Sequence, residues 1–475
     1  MPLILPGNVG SATAATGFNV ANSLRFNSGS SDRLNKTLGT PTNNLKWTYS
    51  FWIKRSKLGE EVAITEALND SQNKGIILFR SDDKLEILDL ISDSYVMQKK
   101  TNRVFRDTAS WYHIVFSNDS TAGSPDLKIY VNGVEETSFA TDNEYSQNQA
   151  GSFNSALANH IGASASSRFS NCYFSQFVFI DGLALAADQF GEFDSDSAIW
   201  KPIDVSGLTF GDNGFFLKFE ESGTGTDANG MGADSSGNTN HFAVNNLTAV
   251  DQSTDTCTNN FATWNNLLGI TIPDTFTEGN LVVARSSGSW TATFSTIAAS
   301  SGKFYAEVKW VQGSEFTTGF GNAQSYASDH DLNDLVSDPG GGGYLSVIYK
   351  NGVLYENGSN TGTGYSTYAS GDIIMLAMDL DNYKLYLGVG GTWGNSGDPA
   401  GNSNGVAIPS AYQGDFFHFA VNVHSSNTTT ASGNFGSPQF AISSGNTDGN
   451  GYGNFEYAVP SGFYSLNTKN LAEYG

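Results

Sequence analysis

Four aromatic residues in polar, glycine-rich loops are the side chains best suited to chemistry: Tyr326, Tyr365, Tyr368 and Trp393. An accessible ring lies well against the apolar face of a sugar, while nearby Asn, Asp and Gly groups bond its hydroxyls. Trp393 stands in Gly390-Gly391-Thr392-Trp393-Gly394-Asn395, where small neighbours leave an indole accessible. Rings of this kind also cap sandwich cores. Trp393 fits both uses equally, and the tyrosines fit core capping better.

Asp227, Asp234, Asn238 and Asn240 offer the hard oxygen ligands that Ca²⁺ takes. Loop solvation accounts for the same four residues, so no cofactor is expected. The six histidines, His113, His160, His241, His330, His418 and His424, show no metal-ligand spacing. His418 and His424 share a strand face, but no carboxylate or Cys accompanies them in the sequence. Glu86 and Asp89 are three apart, which sends them to opposite faces of a strand. Asp379 and Asp381 precede a turn, where Asp is an ordinary choice. No G-x-S-x-G motif occurs, and the run Gly340 to Gly343 precedes a strand rather than a helix. An enzyme is not expected.

The elements that must position these groups are strands. Trp47 to Ile53, Trp111 to Phe116 and Leu127 to Val131 read as strands. Lys303 to Trp310 alternates, with Phe304, Ala306, Val308 and Trp310 on one side. Asn132-Gly133, Asn351-Gly352 and Asp381-Asn382-Tyr383 mark hairpins. Helix signals are scarce, the best being one or two turns over Ala184 to Phe190. The 53 glycines and 13% aromatic content suit many strands joined by tight turns. The chain is therefore all-β.

A formal net charge of −23, with Lys99-Lys100 as the longest basic cluster, makes nucleic acid a poor partner. No apolar run approaches the ~18 residues of a membrane span, so membrane insertion is not expected. Met1-Pro2-Leu3-Ile4-Leu5-Pro6 has no basic residue and is broken by proline, unlike a signal peptide. Only Cys172 and Cys257 are present, too few for a disulfide framework, which fits two buried thiols and folding in a reducing cytoplasm.

The chain divides into an extended arm over 1–20, a sandwich over 21–222, a Gly/Asn/Ser/Thr-rich linker or set of packed loops over 223–275, a second sandwich over 276–440, and a C-terminal segment over 441–475. Within the arm, Pro2, Leu3, Ile4, Leu5 and Pro6 form an apolar plug with a pre-extended backbone, suited to docking on another surface.

These strands resemble known families. Leu24-Arg25-Phe26, Trp47 to Arg55, Trp111 to Val115, Ile129 to Val134 and Phe174 to Phe179 are similar to the laminin-G-like branch of the concanavalin A-like lectin/glucanase superfamily. Gly302 to Val308, Gly371 to Asp381, Lys384 to Leu387, Phe416 to Val423 and Gly433 to Gly436 resemble a SPRY domain. The resemblance implies two concanavalin A-like jelly-roll sandwiches in tandem. Glucanases of the superfamily carry Glu, Asp and Glu at alternate positions of one strand, and Glu86-Ile87-Leu88-Asp89 departs from that motif. The tandem, with the arm in front, looks like virion structural proteins of tailed bacteriophages of aquatic bacteria, placed in a tail fibre, head fibre or capsid decoration. That implies assembly in the host bacterial cytoplasm, several copies per particle or a homo-oligomer, other virion proteins as partners, and noncovalent recognition of a host-surface glycan. The alternatives are a cement or fibre protein that binds only virion proteins, then a secreted lectin, then a glucanase.

Overall fold

The strand Lys46–Arg55 sets the pattern of the first unit. Trp47, Tyr49, Phe51 and Ile53 alternate along it and enter the main core, as a two-residue period requires. It pairs antiparallel with Trp111–Asp119 and with Cys172–Asp181, inside an eight-stranded sheet. A second eight-stranded sheet, from Phe139–Asn143 at one edge to Ala243–Asn245 at the other, contributes Ile77, Phe79, Leu85, Ile87 and Met97 to the same core.

The computed structural model describes residues 17–267, 275–286, 290–313, 315–322, 345–424 and 428–475, apart from the side chains of 362–364. The described chain falls into two compact units, 17–258 and 259–475. Both are mainly antiparallel sandwiches, and the fold is all-β with short helical turns and one short α-helix among the described residues. The stretch 223–275 is divided between the units. Ala243–Asn245 pairs with Arg33–Thr37, and Gln252–Ser253 with Ser23–Phe26, so residues to 258 belong to the first. Trp264 is buried in the second, its ring 4.8 Å from Phe435.

The second unit has a nine-stranded and a six-stranded sheet among the described residues. Phe304, Ala306 and Val308 of the strand Lys303–Gln312 are fully buried. Tyr305 and Glu307, on the opposite face, are buried as well. The cause is the 441–475 segment: Tyr464–Ser465 adds a parallel pairing to this strand, and Phe455 and Phe463 pack on Tyr305, Met375, Ala377 and Tyr386.

The hairpin signals have their backbone cause in the structure. Asn132 and Gly133 have φ of 49° and 78°, and Asn351 and Gly352 have 37° and 92°, the left-handed values that a two-residue turn demands. The Ala184 to Phe190 helix reduces to a 3₁₀ turn, Ala187–Gln189. The sequence reading passed over a true helix, Thr468–Tyr474, capped by the Asn467 side chain accepting from Asn470 N–H. Cys172 and Cys257 are free, and burial pushes the Cys172 thiol up to about 12. Among the described residues no helix is long and apolar enough to cross a membrane.

Candidate functional site

In the second unit, the strand Lys384–Val389 ends in Gly390 and Gly391, with φ of 61° and 82°. The chain then folds back so that Trp393 pairs with Gly388. The Trp393 ring is half-buried, edge-on to Tyr305 at 6.3 Å and to Tyr386 at 6.4 Å. Tyr365, also half-buried, lays its ring over Gly394, where any Cβ would strike it. Tyr457 comes within 3.2 Å of a Cβ position on Gly391 and packs in the same aromatic cluster. Three half-buried rings therefore converge on one glycine-rich turn. Thr392, Asn395 and Ser396 are exposed on that turn. The Asn395 side chain has no hydrogen-bond partner among the described residues, leaving its amide free. Burial, with Glu356 nearby, pushes the Tyr365 phenol up to about 12, so it remains a donor at neutral pH.

Of the four rings singled out from the sequence, the structure brings Trp393 and Tyr365 together. Tyr368 takes the core-capping place rather than the ligand-binding one: it is buried, and its hydroxyl lies 2.8 Å from the Phe316 carbonyl and 3.0 Å from that of Tyr349. Its polar end is consumed inside the fold, so it offers no face to a ligand. Tyr326 and the plug Pro2, Leu3, Ile4, Leu5 and Pro6 lie outside the described residues. The sequence reading missed Tyr457. Its signal was the run of aromatic residues, Tyr452, Phe455, Tyr457, Phe463 and Tyr464, in the terminal segment.

Because Gly394 lies beneath the Tyr365 ring, Gly394→Ala is expected to displace that ring with little change elsewhere. The Tyr365 aromatic proton shifts should move, while the far-ultraviolet circular dichroism should not. Unchanged Tyr365 shifts would mean the ring does not rest on this glycine.

In the first unit, Trp52, His113 and Trp200 form a stack, with His113 4.8 Å from Trp52 and 5.9 Å from Trp200. Trp200 Nε1–H donates to His113 Nδ1 at 3.0 Å, and Ser50 Oγ lies 2.9 Å from His113 Nε2. An indole nitrogen only donates. Nδ1 must therefore accept, and Nε2 carries the proton and donates to Ser50. This Ser–His pair lacks the free base that an activated serine needs. Burial pushes His113 down to about 3. Its folded value lies below its unfolded one, so its stabilising contribution is complete above roughly pH 6.5. That contribution is lost as pH falls toward the folded value. His113 ring resonances should stay constant from about pH 8 to 5, and an ordinary midpoint would show that the ring reaches solvent.

Residues 27–186 match the Laminin_G_3 family, the concanavalin A-like lectin/glucanase superfamily. Within this concanavalin A-like part, Glu86 and Asp89 take opposite faces of Lys84–Ile91. Glu86 accepts from Gln98 at 2.6 Å, and Asp89 accepts from the Tyr145 hydroxyl at 2.6 Å and from Ser152. Among solved structures, the chain is similar to the SPRY domain of human HERC1 (16% identity, 32% of this chain and 87% of that one, TM-score 0.25). It is similar to a heptameric SAP-like pentraxin from Limulus polyphemus (17%, 36% and 82%, TM-score 0.28). It is also similar to domain 4 of AbnA, an extracellular arabinanase from Geobacillus stearothermophilus, in complex with arabinotriose (19%, 33% and 68%, TM-score 0.24). None of the curated proteins matches.

The oxygen-rich loop near the concanavalin A-like part is organised around Asp234. Asp234 accepts from Phe216 N–H, Ser236 N–H and Oγ–H, and Asn240 N–H, all at 2.8–2.9 Å. The side-chain amides of Asn238 and Asn240 donate to the Gly214 carbonyl, and Asp227 accepts from Asn229 N–H. These bonds order the loop, with Asp234 as its main acceptor. His424 does have a carboxylate beside it, Glu315 at 3.5 Å across the strand pair. The sequence could not show this, because 109 positions separate them. Among the described residues, no cluster of three or more His, Cys, Asp or Glu side chains could hold a metal.

Proposed function

We propose that this chain is a non-enzymatic recognition protein that binds a glycan noncovalently through the Trp393, Tyr365 and Tyr457 turn. The observation that carries the reading is the convergence of these half-buried rings beside a free Asn395 amide. Rings supply an apolar platform, and the amide and phenols supply hydroxyl partners. The match of residues 27–186 to a lectin/glucanase superfamily agrees with it. The tandem arrangement and the proline-bounded arm support a place on a bacteriophage virion, with residues 2–6 docking on another virion protein. Many copies per particle would raise weak single-site binding to firm attachment.

Glycan-array binding by the full chain tests the reading. Trp393→Ala and Tyr365→Ala should each weaken the strongest signal by about three- to tenfold, the scale of one aromatic contact. A chain that binds no glycan, yet is incorporated into particles on immunogold imaging, would overturn glycan recognition and favour a cement or fibre role. Product analysis after incubation with β-glucans should show no cleavage, and released oligosaccharides would overturn the non-enzymatic assignment.

A further inference from the structure

The outer face of the first unit's sheet carries a slot lined by Ser50, Trp52, His113, Gln176, Phe190 and Ile203, among others. The strand Cys172–Asp181 is irregular here: its register shifts between Ser175 and Val178, and Gln176 has φ of 47°. A non-glycine residue in that region is strained. Gln176 is also 7% exposed, with its Oε1 buried and without a hydrogen-bond partner. Strain and an orphaned acceptor thus coincide at one side chain, and buried acceptors are seldom left unmade.

Ser50 supplies the complementary group. Its oxygen accepts from His113 Nε2–H, as the Trp200 bond to Nδ1 requires. The Ser50 hydroxyl proton is then left to donate, and the Ser50 side chain has no other hydrogen bond among the described residues. The slot brings the Ser50 hydroxyl donor and the Gln176 Oε1 acceptor between the walls of Trp52, Phe190 and Ile203.

We propose that this slot is a binding site for a single hydroxyl group, which accepts from Ser50 Oγ–H and donates to Gln176 Oε1. A hydroxyl matches both partners at once. A carboxylate has no proton for Gln176, an ammonium cannot accept from Ser50, and the apolar walls disfavour either charge. The hydroxyl comes from a water or from the end of a polyol or sugar. The site is separate from the Trp393 turn and does not rest on the glycan reading.

Crystals of the full chain, grown without polyol and then soaked in ethylene glycol, test this. Both should show an oxygen within about 3.2 Å of Ser50 Oγ and Gln176 Oε1. A water retained after soaking identifies water as the source, and a glycol hydroxyl in its place shows that the slot admits alcohols. An empty slot, or Gln176 bonded directly to Ser50, overturns the proposal. In solution, Ser50→Ala and Gln176→Met should be coupled by at least about threefold in unfolding equilibrium constant, although the two side chains share no bond. Additive effects would overturn the bridge, and if either variant fails to fold the crystals decide.

Discussion

Replacing Asp255 with alanine is expected to destabilise the first unit by about 3–5 kcal/mol. Lys54 points outward from the central strand, yet its side chain is 1% exposed and that of Asp255 2% exposed, with Nζ and Oδ2 2.8 Å apart. Asp255 also accepts from Trp111 Nε1–H at 3.2 Å. Taking the carboxylate away removes the counter-charge of this buried ammonium. The Tyr173 ring, 5.6 Å away, is a weaker electrostatic partner. The covering segment is also held by Ser23 Oγ–H, which donates to the Asp255 carbonyl, and by Arg25, which donates to that of Val250. Denaturant unfolding of the full chain measures the loss. A change under about 1 kcal/mol would mean the pair is effectively solvated. The double variant Lys54→Met with Asp255→Leu should recover much of the stability, because the stranded charge, rather than the lost attraction, dominates the penalty.

That pair marks the limit of what the sequence reveals. The alternation of Trp47, Tyr49, Phe51 and Ile53, and the turns at Asn132-Gly133 and Asn351-Gly352, are local signals, and each sits in the structure where its period or backbone demand placed it. Burial of the opposite faces is not local. Lys54 reads as a solvent-facing residue until Asp255, 201 positions on, covers it. Tyr305 and Glu307 read as the wet side of a half-buried strand until Phe455 and Phe463 return over them. The site divides in the same way. Gly390-Gly391 and Trp393 were visible as an accessible-ring motif, whereas Tyr457 needed the terminal segment to fold back. Tyr368 looked like a loop ring because its carbonyl partners, at Phe316 and Tyr349, are 52 and 19 positions away.

Glu307→Ala should be as damaging to the second unit, at about 3–5 kcal/mol, and should also weaken the proposed glycan site. The carboxylate is buried and accepts from four donors: the Tyr305 hydroxyl at 3.0 Å, the Asn434 amide at 3.1 Å, Glu456 N–H at 3.0 Å and Tyr457 N–H at 2.8 Å. Alanine would take an acceptor from all four, leaving the Asn434 amide only its bond to the Asn454 carbonyl, and the last two fix the backbone that presents the Tyr457 ring. Amide exchange at 455–458 should therefore accelerate more than in the Lys303–Gln312 strand itself. Equal exchange in both would show that Glu307 does not anchor the segment. The pH dependence carries an independent sign. Desolvation outweighs the four hydrogen bonds and raises the Glu307 carboxyl above its ordinary value. Its stabilising contribution is complete below roughly pH 4.3 and is lost as pH rises through the folded value. Glu307→Gln keeps one acceptor but does not titrate. The stability difference between wild type and this variant should shift against the wild type as pH rises from about 4 to 7; a flat difference would place the carboxyl in contact with solvent, and an opposite slope would show that its hydrogen bonds outweigh desolvation.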